Sequence, residues 1–364
     1  MRVGGVLQAL DRRAGPAKAA GWDPVGLQVG EPSAQVRRAA VCHDVTESVV
    51  ERCLGEDVDL LVTYHPLLFR PIRRLVAGAT PGGRALRLAA AGVAVAAVHT
   101  AWDAARGGTA DSLAEALGVA EVTGFGALWG PESTKVVTFV PDHEGEVVAD
   151  AMAAAGGGRI GNYSGCFFRA AGTGIFTPLP GADPHAGAVG ERSAESEIRI
   201  EMNVPAARLD AVVAALVAVH PYENPAYDIY QRRGDAGFVG RVGTVASTDL
   251  RSLAGVVGDV LGGTLRVAGP PQKSIERVAV IPGSGSEFID DALAARADAI
   301  ITGDVSHHRA MDTVDAGMAV LDPGHQATEQ PGVRALYAAV ADIVDTPLDF
   351  TNDGGPYWET SWKS

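Results

Sequence analysis

The chain has 364 residues, a length that favours two domains, or one domain interrupted by another, over a single ordinary domain. It is 47% hydrophobic and 20% charged, with 45 glycines and 21 prolines spread along it, which supplies buried cores and excludes global disorder. Acidic residues outnumber basic ones 44 to 30, and the net charge of -14 opposes sequence-independent attraction to nucleic acid phosphates or anionic lipid.

Near the N-terminus, Asp11, Arg12 and Arg13 follow a short apolar stretch. No uninterrupted apolar run reaches the roughly 18 residues a membrane span needs, so neither a targeting segment nor a span is expected. Cys42, Cys53 and Cys166 are odd in number and form no C-x-x-C pair. They suggest neither a disulfide framework nor a thiolate zinc site, and fit a reducing, cytoplasmic compartment.

From residue 39 a strand-turn-helix rhythm sets in. Apolar Ala39 to Cys42 predicts a strand followed by His43 and Asp44, then a helix that the Thr46 hydroxyl is placed to cap. The rhythm repeats as a strand over Asp59 to Thr63 before Tyr64-His65-Pro66, a helix near Gly83 to Ala91, and a strand over Val93 to Val98 before His99. These strands are continuous apolar runs, as expected when both faces of a parallel sheet are covered.

Between about Ser133 and Arg232 the pattern changes. The spacing predicts a strand at Lys135 to Val140, a helix at Glu144 to Ala155, and a glycine-interrupted strand or hairpin at Cys166 to Thr177. A strand at Ser196 to Val204, a helix at Ala206 to Val219 and a strand at Tyr227 to Tyr230 follow. The order β-α-β-β-α-β is that of a ferredoxin-like α+β unit. After Gly240 the first rhythm resumes, with helices near Leu250 to Leu261, Glu287 to Ala295, Arg309 to Ala316 and Val333 to Val344. The strands interleaved with them are Arg277 to Ile281, Ala299 to Thr302 and Met318 to Leu321. The expected architecture is a split α/β domain, residues 1–130 and 237–364, interrupted by an insert at 131–236.

The polar motifs follow strands: His43-Asp44, Tyr64-His65, His99 with Asp103, Gly283-Ser284-Gly285-Ser286, Asp304 to His308, and His325 to Glu329. In open α/β sheets, loops at the carboxyl ends of strands line the ligand crevice, so motifs far apart in sequence can converge there. His65, Asp103, His325 and Glu329 mix imidazole and carboxylate without thiolate, which suits zinc, iron or manganese, and a carboxylate could bridge two divalent ions. Such a pair points to hydrolysis of a phosphate or purine-like group. The glycine-serine run offers backbone N–H groups to an anion, or equally a tight turn. Of the adjacent His307 and His308, His308 is expected to face the site. His220-Pro221-Tyr222-Glu223 reads as a turn and contact at a helix exit rather than a ligand site.

Taken together, Trp22-Asp23-Pro24-Val25-Gly26-Leu27-Gln28-Val29-Gly30, Tyr64-His65-Pro66, His99-Thr100-Ala101-Trp102-Asp103 and Gly324-His325-Gln326-Ala327-Thr328-Glu329 resemble the NIF-three-like family. Its members are often named GTP cyclohydrolase I type 2 homologues. His220 to Glu223 with Pro225-Ala226-Tyr227 is similar to the long bacterial form, which carries an inserted PII/CutA-like domain. The resemblance implies a dinuclear site with His65, Asp103, His325 and Glu329 as ligands, in a toroidal, usually hexameric homo-oligomer whose inserts act as lids. Tyr64 stands where many bacterial members have a second histidine, and neutral tyrosine is a poor ligand. The resemblance also implies attack on a purine ring, with His99 or His308 as candidate proton carriers. Two function classes stay open: a metal-dependent hydrolase of a nucleotide-like substrate, and a non-catalytic metal-binding regulatory or scaffold protein whose insert senses a small ligand.

Overall fold

A computed structural model describes residues 1–129, 133–160, 163–232 and 236–353. The chain divides into two compact units, one made of Met1–Gly130 with Asp235–Ser364, the other of Pro131–Gly234. The junctions expected at 130/131 and 236/237 fall on or near residues outside the described ones, and Arg233 is also outside them.

The first unit holds two sheets. In one, the short apolar strands Ala39–Cys42, Leu60–Thr63 and Ala94–Ala97 run parallel side by side. Leu348–Phe350 adds a further parallel strand at one edge, and Gly26–Val29 an antiparallel strand at the other. All residues of the three central strands are buried. Covering each Val or Leu side chain in this way stabilises the fold by roughly 1.5–3 kcal/mol. The N-terminal helix Val3–Ala14 and the long helix His325–Ala341 cover one face, where Val6, Leu10, Leu336 and Val340 pack on Val41, Val62 and Ala96. The helix Glu47–Gly55 covers the other face, and as expected Thr46 caps it, its hydroxyl accepting from the Val49 N–H at 3.3 Å.

The second sheet has the parallel strands Ser274–Ser284, Ala299–Gly303 and Ala319–Asp322 at its heart. Antiparallel strands flank them: Arg266–Ala268 on one side, Ala236–Asp249 and then Ala120–Trp129 on the other. The last two were not expected from periodicity, because Gly124, Gly126, Gly237, Gly240 and Gly243 weaken the alternating pattern. The glycines are there for packing. A Cβ on Gly240 would lie 2.5 Å from the Phe125 ring, and one on Gly124 would lie 2.8 Å from the Phe238 side chain, so each glycine seats an aromatic of the paired strand.

A second correction concerns the last helix, which begins at His325 rather than Val333 and runs through Pro331. An interior proline costs about 3 kcal/mol of helix propensity, which is why the sequence pattern appeared to stop there. The burial of Thr328, Glu329, Val333 and Leu336 along one side outweighs it.

The second unit has one antiparallel sheet in the order Phe167–Phe176, Ser193–Pro205, Ser133–Pro141, Tyr227–Arg232. The helices Gly145–Ala154 and Leu209–Val219 pack Val148, Met152, Val212 and Leu216 on Val136, Ile198, Ile200 and Met202 of one face. Among the described residues no helix is long and apolar enough to cross a membrane.

Candidate metal centre

The parallel register of the first sheet brings its strand ends level, and backbone pairing continues past them. The His65 N–H donates to the His43 carbonyl at 2.9 Å, and the His99 N–H to the Tyr64 carbonyl at 3.0 Å. Three imidazoles therefore stand in a row, with ring centroids 5.0 Å apart for His43 and His65 and 5.2 Å apart for His65 and His99. The second sheet contributes in the same way: Asp304 follows Ala299–Gly303, and His325 follows Ala319–Asp322 at the head of its helix. His325 and Glu329 are four residues apart and share one helix face.

Glu329, 2% exposed, is the hub. Its Oε2 lies 2.7 Å from His43 Nε2, and its Oε1 lies 2.9 Å from His325 Nε2 and 3.5 Å from His65 Nε2. The far nitrogens of two of these rings are held by carboxylates, His65 Nδ1 by Asp44 at 3.0 Å and His325 Nδ1 by Asp304 at 2.7 Å. Such pairing sets ring orientation, as it does around metal-ligating histidines. His43, His65 and Glu329 place one donor atom each within 4.8 Å of one another. His43 was not in the expected ligand set, although its place after a strand and beside Asp44 was the signal.

Burial would push the Glu329 carboxyl up, but the charge of His65 and hydrogen bonds from His325, His43 and His65 hold it well below the usual range. Conversely, burial disfavours charge on His65 and His325, yet Glu329 with Asp44 raises His65 to about 10, and Glu329 with Asp304 raises His325 to about 9.

Tyr64 and Asp103 form a separate pair. Burial drives the Tyr64 phenol well above 10, and its O–H donates to Asp103 Oδ1 at 2.6 Å. In this arrangement Tyr64 is neutral and orients Asp103. Burial raises Asp103 to about 6, partly offset by His99 and by the Tyr64 hydrogen bond. His99 Nδ1 lies 3.0 Å from Asp23 Oδ1, and the other oxygen of Asp23 accepts from the Thr100 N–H at 3.0 Å, which explains the Trp22-Asp23-Pro24 motif. His99 (φ 27) and Asp304 (φ 58) sit in the left-handed region, backbone strain of the sort that collects at functional sites.

His65, His99, Asp103, His325 and Glu329 open onto a cavity of about 700 Å³. Gly283 (φ 62) borders it, and a Cβ there would lie 2.5 Å from Glu329 Oε1 and 3.2 Å from His325 Nε2. Of the two readings left open for the glycine-serine run, the tight turn is the one favoured, since the Gly283 and Gly285 N–H groups already donate to the Thr328 and Thr302 hydroxyls. One expectation is corrected. His308 is exposed beside His307 and does not line the cavity.

Residues 1–351 match the family model described as Duf34/NIF3 (NGG1p interacting factor 3). The chain belongs to this family. It is 36% identical over 328 residues to a Bacillus subtilis protein named GTP cyclohydrolase 1 type 2 homolog, covering 88% of this chain and 87% of that one. A Mycobacterium tuberculosis protein of the same name is 34% identical over 339 residues, covering 91% and 89%. Among solved structures, a Bacillus cereus protein related to NIF3 is 31% identical with a TM-score of 0.61, covering 99% of this chain and 98% of that one. A Staphylococcus aureus protein, 23% identical with a TM-score of 0.63, shares the fold over 100% of this chain and 98% of its own.

Proposed function

We propose that this NIF3-family chain is a metal-dependent hydrolase of a nucleotide-like substrate, holding two divalent ions around Glu329. The observation that carries the reading is the Glu329 carboxylate, whose two oxygens face different imidazoles, His43 on one side and His65 with His325 on the other. The donor set fits: imidazole and carboxylate without thiolate suit zinc, iron or manganese, and the bare Gly283 keeps the space beside Glu329 open. His43, His65 and Glu329 would hold one ion, and His325, Asp103 and Glu329 the other. Bound divalent ions supply Lewis acidity for hydrolysis of a phosphate or purine-like group.

The chain's own residues account for binding and proton movement. Asp23 holds His99 at Nδ1, leaving Nε2 to carry a proton at the cavity wall. Trp22 and Phe69, edge to face at 5.9 Å, offer flat apolar surface to a purine. The strand order and pairing of the second unit support its reading as a ferredoxin-like insert at about 131–236. Assembly into a closed homo-oligomer in the cytoplasm belongs to the same proposal; the three cysteines, all free, fit that compartment.

Metal-loaded protein should hydrolyse GTP, lose activity to a chelator and regain it with added metal. His99→Ala should lower kcat by about 10²–10⁴-fold at unchanged metal content. Absence of turnover of GTP and other nucleotides by the loaded protein would remove the catalytic reading. It would favour a metal-binding regulatory protein, a role supported by a separate cavity of about 660 Å³ in the second unit.

A further inference from the structure

That cavity lies on the sheet face left uncovered by the helices, with Phe139, Gly172, Phe176, Glu197 and Arg199 among its lining residues. Pro178 and residues 182–186 of the connection between strands Phe167–Phe176 and Ser193–Pro205, together with Tyr222 to Asn224, add to the lining. Glu197 is buried there and accepts from the Tyr222 O–H at 2.6 Å. The connection, residues 177–192, has no helix or strand of its own. Connections of that length without secondary structure are uncommon inside compact units and are either functional or linkers. A tie from this connection to another segment is the Asp183 N–H, which donates to Glu223 at 3.1 Å.

His185 in this connection comes up to His143 and Glu144, which sit just before the helix Gly145–Ala154. The three place two imidazole nitrogens and a carboxylate oxygen within 4.8 Å of one another. Nothing in the described residues hydrogen-bonds to any of the three side chains; their nearest charge contact is His143 Nε2 with Glu144 Oε1 at 3.6 Å. The neighbouring cations are already paired, Arg169 with Asp142 and Glu146, and Arg199 with Glu201. These two arginines therefore leave no uncompensated charge to oppose an incoming cation.

We propose that His143, Glu144 and His185 form a second divalent-metal site, separate from the Glu329 centre, and that its ion clasps residues 177–192 over the cavity. Two imidazoles and one carboxylate are a zinc-type donor set that leaves positions for water. Two of the donors are on the body of the unit and the third is on the connection, so coordination closes a loop that protein hydrogen bonds hold only lightly.

The test uses the full chain, stripped of metal and equilibrated with zinc, with ions counted per chain by elemental analysis. His143→Ala/His185→Ala should lose about one ion and Glu329→Ala should keep that ion, since structural sites of this kind bind independently when separate. Equal counts in the wild type and the double variant would overturn the site. With zinc about 100-fold above its dissociation constant, trypsin cleavage after the exposed Arg192 should slow by up to about 100-fold in the wild type and not in the double variant. Cleavage unchanged by zinc in a chain that binds the ion would overturn the clasp. All three positions are at least partly exposed, and if the double variant fails to fold, Glu144→Gln carries the same comparison.

Discussion

Adding zinc to the metal-free protein at pH 7 should release about two protons per chain, one for each ion at the Glu329 centre, and the apparent affinity for each ion should rise by up to about one log unit per pH unit between pH 6 and 8. The reason is that a metal takes neutral imidazole, while Glu329 raises His65 to about 10 and His325 to about 9 in the metal-free protein. Both rings are protonated at neutrality and must give up a proton to bind. The sign for stability is the opposite. A histidine whose folded pKa lies above its unfolded value near 6.5 contributes stability that is complete below about pH 6.5 and lost as pH rises through the folded value. Metal-free protein should thus lose stability progressively between about pH 6.5 and 10, and the metal-loaded protein should not follow it. The depressed Glu329 is the same interaction seen from the acid side and is not counted again. Isothermal calorimetry in buffers of different ionisation enthalpy reads the protons directly; an affinity flat from pH 6 to 8 would contradict the charge arrangement described.

Trp102→Ala should destabilise the metal-free first unit by about 3–5 kcal/mol, lowering Tm by roughly 10 °C. Trp102 is 2% exposed, packs in the core beside Val333 and Leu336, and donates from Nε1 to the Gly332 carbonyl at 2.9 Å. It thus joins the helix His99–Asp103 to the helix that carries Glu329. Truncation leaves both a cavity and a buried carbonyl without its donor. Trp102→Phe should recover most of the packing but not the hydrogen bond. Thermal melts in chelator separate this effect from metal binding, and a loss below about 1 kcal/mol would mean that the two helices are coupled by other contacts.

Much of this centre is legible in the chain, and the parts that are not have physical causes. Continuous apolar runs ending in His43, Tyr64-His65 and His99 mark parallel strands, and parallel strands end level, so His65, Glu329 and their neighbours converge. The i, i+4 spacing of His325 and Glu329 was available as a helix signal, but Pro331 broke the apolar pattern before it could be used. The place of His43 after a strand and beside Asp44 is its one mark, and it does not separate a ligand from a turn histidine until Glu329 is seen 2.7 Å away. Tyr64 looked like a missing ligand; only its contact with Asp103 shows that it holds a carboxylate. His308 is exposed and, like His307, does not line the cavity, so a pair of histidines after a strand was not by itself a mark of the site. The glycine-rich strands Ala120–Trp129 and Ala236–Asp249 became readable only when paired, since Gly124 answers Phe238 and Gly240 answers Phe125 across the pair.

The most direct test is metal content per chain, by elemental analysis of protein purified without chelator, for the wild type, Glu329→Ala and His43→Ala, each in the His143→Ala/His185→Ala background. That background isolates the Glu329 centre. The wild-type centre should hold close to two transition-metal ions, Glu329→Ala should hold almost none, and His43→Ala should lose one. A centre that binds no ion under any loading condition, or that keeps its ions without Glu329, would contradict the account.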